Sequence, residues 1–91
     1  MNLAEQLLTD IVSSIAAATS VVCKEIESHQ GSQNFRAGNA AASIRSKLAQ
    51  MPADTSNKDT VSDIYATFIA YLSNRPEEAP SIRLPRQGGN S

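Results

Sequence analysis

Tryptophan is absent from this chain, and two tyrosines and two phenylalanines are its only aromatic residues. That scarcity matters in a chain of 91 residues, because a domain this small buries only about 60% of the surface its unfolded form exposes. Much of the apolar content is alanine, which removes far less area from water than leucine or phenylalanine does. Cysteine is almost missing: Cys23 stands alone, which excludes an internal disulfide. His29 is the single histidine, so soft ligands are too few for a structural metal, and no metal or other cofactor is expected. Thin cores of this size are usually completed by disulfides, metal or self-association. Self-association is what remains.

An excess of one charge is lacking as well. A formal net charge of −1 argues against a chain held to nucleic acid or an anionic membrane by bulk electrostatics. No uninterrupted apolar run approaches the roughly 20 residues of a membrane span. The opening MNLAEQLLTD lacks the positive segment and small-residue cleavage site of a secretory signal. The expectation is a cytoplasmic protein without membrane contact, a setting in which a free thiol persists. Also missing are a phosphate-binding loop, a glycine-rich dinucleotide fingerprint, zinc-finger spacing and paired catalytic carboxylates. Every common enzyme template fails, and no catalytic activity is expected.

What is present is helical patterning. Asn2 with Glu5 three residues on forms a variant of the capping box. At about 100° per residue, Leu7, Leu8, Ile11, Val12, Ile15, Ala18, Val22 and Ile26 fall on one stripe, with Gln6, Thr9, Ser13, Ser20, Lys24 and Glu27 opposite. Gly31 offers a stop. A second helix carries Ala37, Ala41, Ile44, Leu48 and Met51 at heptad-like spacing before Pro52. Its start is open between caps at Ser32 or Asn34 and one at Asn39 beyond Gly38. Ser56 with Asp59 resembles the cap of a third helix, whose apolar face holds Val61, Ile64, Tyr65, Phe68, Ile69, Tyr71 and Leu72, with Asp59, Asp63, Ala66 and Ala70 behind. Asn74-Arg75-Pro76 ends it. The reading is all-α: a helical domain over 1–74, with helices at about 2–30, 35–51 and 57–73, as a long first helix followed by an antiparallel pair. Residues 75–91 hold three of the four prolines and two of the four glycines and read as an extended or disordered, flexible tail. Truncation after Asn74 is therefore expected to leave helicity intact.

Each candidate site has a bland reading beside a sharp one. Arg36, Arg45 and Lys47 suggest nucleic-acid contact, but Arg45 and Lys47 stand about 160° apart on a helix, and Arg36 joins the face of Lys47 only if the helix begins before Gly38. A basic helix between acidic neighbours suits an intra-bundle role better. His29 follows Glu25 by four residues at a helix C-terminus, where an ion pair is expected rather than catalysis. Cys23 reads as a small half-buried apolar residue. Tyr65, Phe68 and Tyr71 read as core rather than as a base-stacking platform. In the tail, Ile82 and Leu84 flanked by Arg83 and Arg86 read as anchors for a partner. The segment KLAQMPADTSNKDTVSDIYATFIAYL resembles the helix–loop–helix of type III secretion needle subunits at Pro52 and its flanking apolar pattern. The second loop proline is missing and a proline-rich tail stands where those subunits continue as helix, so no function is taken from the likeness.

The apolar faces outgrow one chain. A homodimer is therefore expected, with Leu8, Ile11, Ile15, Val22, Ile26, Tyr65, Phe68 and Leu72 at its interface. The expected function is a non-catalytic interaction module that binds itself and another protein: a small regulator, inhibitor, adaptor or chaperone. A dimeric nucleic-acid-binding regulator and a structural subunit of a phage or secretion assembly are the alternatives.

Overall fold

Asn2 and Glu5 cap one another as their spacing predicts. The Glu5 N–H donates to Asn2 Oδ1 at 2.7 Å, and the Asn2 N–H donates to Glu5 Oε1 at 3.4 Å. From this cap α1 runs Leu3–His29 in the computed structural model of the chain, which describes residues 2–29 and 35–85. Two further helices follow, α2 at Ala37–Ala49 and α3 at Lys58–Leu72, and a single 3-10 turn at Pro76–Glu78. No strand occurs among the described residues, and the all-α expectation holds.

Helix boundaries follow local chemistry, which closes one open question and corrects one expected cap. α2 starts at Ala37, so Gly38 lies inside its first turn and does not break it. Of the three side chains offered as caps, Asn39 is already helical, while Ser32 and Asn34 lie outside the described residues. Instead Glu27, near the end of α1, accepts the Ala37 N–H at 3.0 Å, so one helix caps the next. α3 starts at Lys58 behind Asn57, which is in the left-handed region at φ 55°, rather than from a Ser56–Asp59 cap. It ends in a Schellman turn. Asn74 is left-handed at φ 63°, its N–H bonds Tyr71 O at 3.1 Å, and the Arg75 N–H bonds Ala70 O at 2.8 Å.

Contacts at both ends set the topology. Ser20 Oγ donates to Tyr71 O and Lys24 Nζ to Asn74 Oδ1, while Glu5 and Thr9 lie level with the start of α3. α1 and α3 are therefore parallel, and α2 runs back between turns as the expected antiparallel neighbour of α3. After the 3-10 turn the chain reverses and residues 79–85 lie along the groove between α1 and α3. Of the two readings of this segment, extended and disordered, it takes the extended one. Successive N–H groups alternate between the helices: Ile82 to Thr9 Oγ1 at 2.9 Å, Arg83 to Asp63 Oδ2 at 2.9 Å, Leu84 to Glu5 Oε2 at 3.2 Å. Thr60 donates its hydroxyl to the Arg83 carbonyl.

This strap supplies what the helices lack. Ile82 is 0% exposed and, with Thr67, is the largest side chain fully closed off from solvent. The other buried apolar residues are Val12, Leu72 and four alanines, Ala16, Ala37, Ala41 and Ala70. With extents of 53 × 28 × 16 Å the molecule is a thin slab. A helix with its side chains is about 10–12 Å across, so there is little depth for a core. On α3 the most buried line is the side expected to be the rear: Thr60, Asp63, Thr67 and Ala70 are buried, while Val61, Ile64, Tyr65, Phe68, Ile69 and Tyr71 are half-buried. Thr67 meets its own polar demand by donating to Asp63 O at 2.8 Å. Small and hydroxyl-bearing side chains allow α1 and α3 to pack closely here, which shape decides and hydropathy does not.

Candidate interaction surface

α1 is turned inside out relative to its hydropathy. Val12, Ala16 and Ser20 are its buried residues, with Thr9, Cys23 and Glu27 half-buried beside them. That inner face meets α3, the strap and the start of α2. Ser20 and Glu27, expected on the solvent side, face inward, and Val12 leaves the outer stripe to join them. The outer side carries Leu3, Leu7, Ile11, Ile15, Val21, Val22 and Ile26, each between 46% and 82% exposed. At about 100° per residue these seven fall within an arc of about 140°. At its centre Ser14 folds its hydroxyl back onto Asp10 O at 2.8 Å and makes no demand on a neighbour.

The sequence-predicted interface residues divide accordingly. Ile11, Ile15, Val22 and Ile26 share the outer face of α1, and Leu8 stands half-buried at its edge. Tyr65 and Phe68 are half-buried on α3, away from that face. Leu72 is a correction: at 4% exposed it packs with Ala37 and Ala41, backed by Cys23, Ala40 and Ile44, and belongs to the core. Leu3, Leu7 and Val21 stand exposed on the same face, outside the expected interface set. The signal for Leu3 and Leu7 was available, since 3, 7, 11 and 15 continue one row at four-residue spacing.

The tail motif is committed to its own chain. Arg83 Nε and Nη2 grip the two oxygens of Asp63 at 2.9 and 3.0 Å, in addition to the backbone bond, and Arg83 Nη1 lies 3.5 Å from Asp59. Burial pushes the Asp63 carboxyl up, but the Arg83 hydrogen bonds and charge outweigh it, and the net effect holds Asp63 below the usual carboxylate range. The same pairing raises Arg83, which stays charged. Ile82 is sealed beneath, Leu84 is half-buried, and Arg86 lies outside the described residues.

The cations expected for nucleic-acid contact are not gathered. α2 does begin before Gly38, but Arg36 stands outside it in an extended conformation (φ −140°, ψ 138°) with Nη1 on the Phe35 carbonyl, so the helix does not carry it onto the face of Lys47. Arg36, Arg45 and Lys47 border three different surface recesses. His29 Nε2 lies 3.1 Å from Glu25 Oε1, both well exposed, as their spacing predicts. Cys23 is free and half-buried against the Ala37–Leu72 cluster. By length and composition α1 is long and apolar enough to cross a membrane, which counting uninterrupted apolar runs passes over. Its inner face is nevertheless occupied by polar contacts to α3 and the strap through Glu5, Thr9, Ser20 and Lys24.

These features define a class: a thin helical bundle, closed by its own C-terminal strap, that leaves one long apolar helix face outward. No protein-family model, curated protein or solved structure matches the chain.

Proposed function

We propose that the chain is a non-catalytic protein–protein interaction module acting as a homodimer, of the kind used by small regulators, inhibitors, adaptors and chaperones. One observation carries the reading: seven large aliphatic side chains stand exposed on one side of α1, within an arc of about 140°. Together they offer on the order of 700 Å² of apolar surface, above the roughly 300–600 Å² of the largest patch on a typical monomer. Self-association covers that surface. A further protein partner would then meet the α2–α3 hairpin, where Lys47, Met51, Pro52, Val61 and Tyr65 border an open recess of about 340 Å³.

The test is Ile15→Asp. Ile15 points away from the core, at 53% exposed, so the variant should keep its helicity. Its mass by light scattering should fall from that of a dimer to the 9.7 kDa of one chain. An unchanged mass would remove the outer face of α1 from the interface. Loss of helicity would show that Ile15 is internal.

A further inference from the structure

The outer face of α1 is self-complementary when reversed. Its main lines are two rows at four-residue spacing, Leu3-Leu7-Ile11-Ile15 and Ser14-Ala18-Val22-Ile26, with Val21 at the edge. Turning a second copy end over end about a point between Ser14 and Ile15 lays the first row on the second. We propose that two chains pair through antiparallel α1 helices, with Leu3 level with the partner's Ile26, Leu7 with the partner's Val22 and Ile11 with the partner's Ala18. This rests on reading α1 as the self-association face and adds its partner geometry.

Three observations favour a reversed second copy over other occupants. First, the acidic residues on this side of α1 are Asp10, at the border of the arc, and Glu25, within it near the C-terminal end and paired with His29. Parallel pairing sets each near its own copy, and like charges repel. Reversal brings Asp10 level with the partner's Thr19 and Glu25 with the partner's Ala4, both uncharged. Second, antiparallel helices place opposite dipole ends side by side. Third, the area suffices: covering most of about 700 Å² on each chain buries about 1,200 Å² in total, at the lower edge of stable interfaces. A lipid surface is the poorer fit. Helices that lie on membranes carry lysine and arginine along their polar border, whereas α1 has Lys24 alone against Glu5, Asp10, Glu25 and Glu27.

Disulfide capture in the full chain reads the register directly. In a Cys23→Ala background, Ile11→Cys and Ala18→Cys are prepared separately, then oxidised mildly alone and as an equilibrated mixture. Neither variant should link to itself, because each stands about 10 Å along the axis from its own copy at 1.5 Å per residue. The mixture should give a covalent dimer on a non-reducing gel. Self-linking of each variant with no excess in the mixture would overturn the register in favour of parallel pairing, while the self-association reading stood. A dimeric mass with no link in any combination would move the interface off α1 and overturn both. A monomeric wild-type chain that floats with phosphatidylcholine–phosphatidylglycerol vesicles would assign the face to lipid, overturning both as well.

Discussion

Asp63 shows how a single side chain can hold two elements together. Its carboxylate accepts three bonds from one residue, the Arg83 backbone N–H, Nε and Nη2. Its folded pKa is lowered, so the folded state takes up a proton less readily than the unfolded chain. The stability from this pair is fully present above the unfolded carboxylate value of about 3.9 and is lost as pH falls through the folded value. Thermal denaturation at a series of pH values should therefore show a decline below about pH 4, flatter in Asp63→Asn. At neutral pH that variant should lose about 1–3 kcal/mol, because a charge-assisted fork becomes a single neutral acceptor. A variant equal to wild type at both pH values would mean the pair is idle. Gly38 offers the opposite prediction. It is helical, and a Cβ added there meets nothing within 4 Å, so Gly38→Ala should stabilise by roughly 0.5–1 kcal/mol in urea unfolding. A loss would indicate that the first turn of α2 needs glycine.

Among the elements, the strap is the one whose role differs most from its composition. Its prolines and isolated apolar residues suggest a tail that can be removed, yet Ile82 is the largest aliphatic side chain fully shut off from solvent. Truncation after Asn74 would uncover Thr67 and strip Arg83 from Asp63. Ile82→Ala alone should cost about 2–4 kcal/mol. The truncated chain is accordingly expected to lose a large part of its helical circular dichroism at room temperature. Retention of the full signal would mean that the helices hold without the strap. The helices were legible because their signals are local: the Asn2–Glu5 cap, Pro52, and Asn74 before Arg75-Pro76. The strap was not, because Ile82, Arg83 and Leu84 find Thr9, Asp63 and Glu5 at separations of 20 to 79 residues. The direction of α1 was also hidden. Periodicity reveals a stripe without saying what it faces, and the inner seam of Ala16, Ser20, Thr67 and Ala70 is chosen for closeness of approach. Four of the eight expected interface residues lie on the outer face of α1, but Leu72 had already been claimed by α2.

At the scale of the molecule these choices leave an imbalance. Among the described residues the inside of the slab holds four alanines and only Val12, Leu72 and Ile82 as larger apolar side chains, while leucines, isoleucines and valines stand outside along a helix of 27 residues. Burying that face would remove a large aliphatic surface from water. The antiparallel pairing follows from the same face and from the positions of Asp10 and Glu25 on it. Sedimentation equilibrium of the wild-type chain, from dilute to concentrated solution, tests the imbalance most directly. The account predicts a mass rising to twice 9.7 kDa and levelling there, as a closed twofold assembly requires. A mass that stays at 9.7 kDa at every concentration would contradict it.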